Sequence, residues 1–285
     1  MAMCSTISTR SARRCEPPPA EKRVPAGRDN RPHGRVPSRD WAPLMDGGDD
    51  FGRLTRVHAW VAEHAGRLQL PVAERALCET AVDRLRMNGA GITVGDGSGW
   101  PETRYSTDTL SKRLAELQIT VGEGPSVIVL RTGAPVLAAD LDSVLSQHRW
   151  PLFAPLAVEA GARALFALPL RVGTKRVGVL ALHRVDAGWL DMETLANSVE
   201  FAELAFLLLL DEQARSSMVD SELAAERWPL DSPQVHQATG MIAVQAAIGL
   251  EDAFARLRAR AFADRRRLAD LAADVVARRL RFDVY

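Results

Sequence analysis

Ala164-Leu165-Phe166-Ala167-Leu168-Pro169-Leu170-Arg171-Val172 and Arg176-Val177-Gly178-Val179-Leu180-Ala181-Leu182-His183 are separated only by Gly173-Thr174-Lys175. Two apolar, β-prone runs joined through a glycine turn predict an antiparallel hairpin. A second hairpin is predicted upstream, where Ala90 to Val94 runs into Gly95-Asp96-Gly97-Ser98-Gly99 and the chain returns through Arg104 to Thr107. Ala134 to Ala138 is another strand-like run. Helical spacing surrounds these strands: Leu54, Val57, Val61 and Leu68, then after Pro71 Val72, Ala76, Ala81 and Leu85, then Leu110, Leu114 and Leu117. Trp150-Pro151-Leu152-Phe153 predicts a loop entering a helix, and Leu190 to Met218 a long helix buried over its first half. Strands grouped in hairpins, not in strict alternation with helices, give the class α+β, an antiparallel sheet flanked by helices.

The 285 residues are 47% hydrophobic and carry 36 Lys plus Arg against 36 Asp plus Glu, a globular composition sized for one large domain or two smaller ones. Overall neutrality argues against a histone-like binder of nucleic acid, but the charge is uneven. Residues 1–45 hold nine basic and four acidic residues, residues 214–285 eleven and ten, leaving the middle at 16 against 22. Seven of the sixteen prolines also lie in residues 1–45, with almost no large apolar side chain, so this segment is expected to be disordered. It reads either as a basic arm that assists binding to a polyanion or as an inert extension ahead of a start at Met45. Cys4, Cys15 and Cys78 share no metal-ligand spacing and always leave one thiol over, which points to a reducing cytoplasm. The run Leu195 to Leu210 is too short for a bilayer and carries Glu200 and Glu203, and no apolar stretch follows the basic N-terminus, so neither a membrane span nor a secretory signal is expected.

No Ser/His/Asp set, carboxylate pair, phosphate-binding loop or metal cluster can be assembled from the sequence, and no catalytic residue or metal is assigned. Val121-Gly122-Glu123-Gly124-Pro125-Ser126 is glycine-rich but lacks a following Lys-Ser/Thr pair. His58 and His64, six apart, do not share a helical face. His148 reads as a surface or capping residue in preference to a haem ligand, and Trp60, Trp100, Trp150 and Trp189 as core or loop anchors.

Several of these stretches share a pattern. Gly122-Glu123-Gly124-Pro125, Pro135-Val136-Leu137, Asp140-Leu141, Arg149-Trp150-Pro151, Ala167-Leu168-Pro169-Leu170 and Gly178-Val179-Leu180 together resemble a GAF sensor domain of the actinobacterial kind, over about residues 51–213. The resemblance implies a six-stranded type of antiparallel sheet, helices on one side and a small-molecule cavity on the other. Its ligand is unknown. Ser126 stands where the family often has cysteine, which removes thiolate chemistry there, and the Asn-Lys-Phe-Asp-Glu motif of cyclic-nucleotide binders is absent.

Beyond Ala214 the pattern predicts three amphipathic helices. The first starts at Pro233, capped by Asp231 or Ser232, and runs to Ala247 with Val235, Ala238, Ile242 and Ala246 on one face. Gly249 ends it. The second carries the stripe Leu250, Ala253, Phe254, Leu257 and Ala261 with Arg256 and Arg260 off it. The third, capped by Asp264, presents Leu268, Leu271, Ala272, Val275 and Val276. Residues 253–282 hold nine arginines, no lysine and three aspartates, a composition suited to planar contacts with phosphate and bases. Gly240, inside a helix, implies tight helix packing or the close approach of a binding partner.

Gln237-Ala238-Thr239-Gly240-Met241-Ile242, Asp252-Ala253-Phe254, Leu257-Arg258, Ala261-Phe262, Arg265-Arg266-Arg267-Leu268 and Leu271-Ala272 resemble the ANTAR domain, the RNA-binding output module of bacterial antitermination regulators. Carried over position by position, the resemblance implies RNA-facing roles for Gln237, Thr239, Gly240, Arg258, Arg265 and Arg266, with Ala253, Leu257, Ala261, Leu268 and Ala272 in the core. Thr239 replaces a frequent lysine and Ala243 a frequent methionine. The expected organisation is thus an N-terminal segment 1–45, a sensor 51–213, a helical linker 214–229 hinged at Trp228-Pro229, and a three-helix bundle 230–285. The implied protein is a cytoplasmic, homodimeric regulator that binds stem-loops in nascent transcripts and prevents termination, under control of the sensor through its long last helix. The alternatives are a DNA-binding regulator using the second and third helices as a helix-turn-helix, and a dimerisation or protein-contact module. Against the first stand Ala269, Asp270, Ala273 and Asp274, small or acidic where base-reading side chains are needed.

Overall fold

The computed structural model describes residues 50–95, 101–173, 175–219 and 233–282. Helices α1 (Asp50–Leu68) and α2 (Glu74–Leu85) precede the strands β1 (Gly89–Val94) and β2 (Glu102–Ser106). Then come α3 (Thr109–Val121), α4 (Pro125–Thr132), β3 (Val136–Ala138), α5 (Val144–Arg149) and α6 (Phe153–Glu159), followed by the hairpin β4 (Ala164–Val172) and β5 (Lys175–Arg184) and the long α7 (Met192–Val219). The chain ends in α8 (Pro233–Ala246), α9 (Leu250–Ala263) and α10 (Leu268–Val276). The expectations for residues 1–45, Met45, the turn residues 96–99, Trp100, the Trp228-Pro229 hinge and the Asp231 or Ser232 cap lie outside the described residues.

The strands form one antiparallel sheet in the order β2-β1-β5-β4-β3, with Phe166 opposite Leu182, Leu168 opposite Leu180, and Ile92 opposite Leu180 on the other side. It has five strands among the described residues where the resemblance implies six, and it is covered by helices on both faces, not one. Phe166, Leu168 and Leu170 pack with α1, α2 and α7, whereas Leu165 and Ala167 pack with α3, α4 and α6. Burial on both faces explains why β4 and β5 read as nearly unbroken apolar runs without alternation.

Helix starts follow local chemistry. Asp108 accepts from Ser111 N at 2.9 Å to cap α3, Ser143 caps α5 and Asp191 accepts from Thr194 N at 2.7 Å to cap α7. Along α7, Phe201, Ala205, Phe206 and Leu209 are buried, and Phe201 stacks on Trp60 with centroids 6.5 Å apart. Arg104 on β2 donates to Glu74 at 3.2 Å and to Glu212 at 2.6 Å, tying the sheet edge to α2 and α7. Trp150 is buried in the second core, but Trp189, 51% exposed in the loop before α7, is not the anchor expected of it. Leu250 also leaves its expected stripe: as the first residue of α9 it is 55% exposed.

The last three helices close over Val235, Ala238, Ile242, Ala253, Phe254, Leu257, Ala261, Leu268, Leu271, Ala272 and Val275. Asp264 does not cap α10. It ends α9, where Arg265 takes a left-handed backbone (φ 51°) and Arg266 N donates to Ala261 O at 2.9 Å. This is a Schellman turn made without glycine, and it uses up the residues on which the cap was expected; Arg267 precedes α10 in its place.

Phe166 is wholly buried where the first core meets the sheet. Phe166→Ala is expected to lower unfolding free energy by about 3–5 kcal/mol, read from urea denaturation of the full chain.

Candidate nucleic-acid interface and sensor cavity

The surface of the three-helix bundle is arginine-rich because its apolar residues are spent inward. Gln237 is exposed on α8 and Gly240 partly so, while Thr239 is buried with its hydroxyl donating to Val235 O at 2.7 Å. Arg265 and Arg266 are exposed in the α9–α10 turn. Arg266 pairs with Asp274 at 2.6 Å, and Arg279 approaches the same carboxylate at 2.6 Å. These two guanidinium groups hold the Asp274 carboxyl below the usual range. Arg258 lies apart from these residues, half-buried on the inner side of α9.

A cluster that the sequence did not flag lies beside Gly240. An open groove of about 740 Å³ runs along α8, with Met241, Val244 and Phe282 as apolar walls and Arg278 and Arg281 at its rim. Val244 is 84% exposed, and a Cβ added at Gly240 would meet nothing within 4 Å. Tight packing inside this chain therefore does not account for the glycine. Arg265, Arg278 and Arg281 form no ion pair among the described residues. Phe282 and Arg281 follow the last helix and share no periodic pattern with it, which is why sequence reasoning passed over them.

The Gly122-Glu123-Gly124-Pro125 stretch proves to be a junction. Gly122 ends α3 with φ 75°, Gly124 precedes α4 with φ 128°, and Pro125 opens α4. The Glu123 carboxylate accepts from Leu152 N and, at 2.8 Å, from Phe153 N, so it caps α6 from a distance. Inside, Gln118 Oε1 accepts from Ser126 N at 2.7 Å. Gln118, Ser126, Ser111, Thr93 and His183 line a cavity of about 10 Å³ against the sheet. This is room for about one water. The Ser111 hydroxyl donates to Asp108 at 2.7 Å, so its oxygen is free to accept from His183 Nδ1 at 3.2 Å. Burial pushes the His183 imidazole below its ordinary value of 6.5, against the pull of the Asp108 carboxylate. Against desolvation, hydrogen bonds from Ser111 and Thr107 keep the Asp108 carboxyl low. His148, by contrast, is exposed on α5 and does not line this cavity, and His64 bonds Glu79 at 3.2 Å while His58 is exposed.

A family model of the GAF domain matches residues 71–209, and one of the ANTAR domain matches residues 230–276. The chain is a GAF and ANTAR domain protein. Solved structures similar to it include the GAF domain of a phosphoenolpyruvate-protein phosphotransferase (ptsP) from Coxiella burnetii, at 16% identity over 61% of this chain and 98% of that one, with a TM-score of 0.44. The corresponding domain from Acinetobacter is 11% identical over 60% and 99%, with a TM-score of 0.42. The GAF-B domain of DevS from Mycobacterium smegmatis is 17% identical over 50% and 95%, with a TM-score of 0.37. No curated protein matches the chain. Both domains are sensor and regulatory modules, not catalytic ones, and together they make a GAF-regulated RNA-binding regulator of the ANTAR type. Among the described residues no helix is long and apolar enough to cross a membrane.

Two outcomes follow from this geometry. A neutral His183 in the fold binds fewer protons than the unfolded chain, so the stability it allows is complete above about pH 6.5 and falls as pH drops through the lower folded value. Urea midpoints should decline on acidification below about pH 6.5, and His183→Gln should flatten that decline. Gly240→Ala adds a methyl into open space in mid-helix and is expected to raise stability by about 0.5–1 kcal/mol, measured by urea denaturation.

Proposed function

We propose that the protein is a cytoplasmic antiterminator that grips stem-loops in nascent transcripts through the bundle at residues 230–285, under control of the sensor at residues 51–213. The observation that carries this reading is Gly240: a helix-interior glycine with no internal need for its missing side chain, open to a groove rimmed by Arg278 and Arg281. RNA loops are read by stacking on aromatic and guanidinium planes and by close backbone approach, and this groove offers Phe282, two arginines and a bare stretch of helix for both. Gln237, Arg265 and Arg266 are the exposed members of the RNA-facing set, and Gly240 is partly exposed. Thr239, turned inward, acts through the shape of α8, and Arg258 joins when it is free of its present neighbours.

Two hairpins in one transcript suit a homodimer, which raises avidity without new contacts. The GAF cavity takes a small ligand only by opening, since its present volume admits about a water. Duplex DNA fits less well: α10 exposes Asp270, and Asp274 is already engaged by Arg266 and Arg279.

The test is a gel-shift titration of the full chain against a tandem stem-loop RNA, its loop-scrambled version and duplex DNA of equal length at two salt concentrations. Loop-dependent binding is expected, with Arg265→Ala lowering the magnitude of the log-log salt slope by up to about one unit. Gly240→Ala, although stabilising, is expected to weaken the RNA complex. Equal binding to the intact and scrambled loops, or to duplex DNA, would sink the reading and turn attention to protein partners.

A further inference from the structure

α3 has two occupied faces. Ser111, Leu114 and Gln118 look into the small GAF cavity. Glu116, Ile119 and the carbonyl of Thr120 meet the ANTAR domain. Arg267 forks onto the Glu116 carboxylate, with Nε to Oε2 at 3.0 Å and Nη2 to the other oxygen. Arg258 Nε donates to Thr120 O at 3.2 Å, at the C-terminal end of α3 where the helix dipole is negative. Its guanidinium occupies the space beside Gly122, where any Cβ would collide with it, and lies 5.6 Å from the Phe254 ring centre. Ile119 packs against the bundle core itself.

We propose that α3 is an autoinhibitory clamp: the GAF domain holds Arg258 and Arg267 of its own ANTAR domain, and RNA competes for the same guanidinium groups. The inference rests on the RNA-binding reading above and adds its regulation. Arg258 belongs to the RNA-facing set yet is half-buried against the sensor, so RNA reaches it only when α9 leaves α3. The carboxylate of Glu116 stands in for a phosphate, offering Arg267 the same planar, two-oxygen partner. The Arg267–Glu116 pair is more than half exposed on the arginine side, so it is a weak lock that several phosphates together can displace. The input side is equally local. With only about 10 Å³ beneath Ser111 and Gln118, anything larger than a water must displace the lining, of which α3 is one wall, and the same helix carries the clamp.

The experiment uses the full chain and its Glu116→Arg and Glu116→Gln variants, both at a partly exposed side chain that does not line the groove at Gly240. RNA affinity is measured by stem-loop titration, and exposure of α9 and α10 by amide hydrogen exchange without RNA. The clamp predicts that Glu116→Arg raises RNA affinity by about 5-fold at low salt, with Glu116→Gln intermediate, and that exchange in α3, α9 and α10 accelerates together. RNA binding of equal strength in all three proteins overturns the clamp while leaving the RNA reading in place, and so does faster exchange without a gain in affinity. Loss of loop-dependent binding in every protein, wild type included, overturns the RNA reading and the clamp with it.

Discussion

At position 122 the backbone turns left-handed at φ 75°, and the side chain that is missing there leaves space for a guanidinium from the other end of the chain. The next three residues complete the junction: Glu123 satisfies the first amides of α6, Gly124 swings the chain into α4, and Pro125 starts that helix where no amide donor is needed. Four consecutive residues thereby set the relation of α3, α4 and α6, and through Arg258 the seat of α9. The small cavity, its polar lining and the docking face of the bundle all depend on where this junction puts α3.

The polar interior of the GAF domain is economical. Asp108 caps α3, accepts the hydrogen bond of the Ser111 hydroxyl, and through it orients His183 on β5. A capping interaction at the start of one helix is thus continuous with a buried imidazole in the centre of the sheet. Ser126 keeps the cavity wall neutral and closes it by a backbone bond to Gln118 in place of thiol chemistry. Cys78, the cysteine among the described residues, is buried beneath α1 and α7, and burial pushes its thiol far above the range in which it ionises.

Sequence periodicity carried the helices and the hairpin well, because amphipathic spacing in α2, α3 and α8 to α10 directly records which side is buried. The ANTAR core residues Ala253, Leu257, Ala261, Leu268 and Ala272 are all buried for that reason. β4 was legible as a strand but not as a strand covered on both faces, since an unbroken apolar run does not say what lies on either side. Asp264 looked like a cap because aspartate before an apolar run usually is one; a Schellman turn through Arg265 carries no glycine to announce itself. The α3 contacts were illegible for a different cause. Arg267 and Glu116 are 151 residues apart, Arg258 and Thr120 138, and no local pattern encodes such pairings.

The core of the last three helices sets four alanines, Ala238, Ala253, Ala261 and Ala272, among larger residues such as Ile242, Phe254, Leu257 and Leu271. Small side chains bring helices close but remove little apolar surface from water, and a unit of about 50 residues has little to spare. Ile119, supplied by α3, is one of the larger aliphatic groups against that core. The boundary between the two domains in sequence is therefore not the boundary of selection: a substitution at position 119 is felt in the cohesion of a helix bundle that begins more than a hundred residues later.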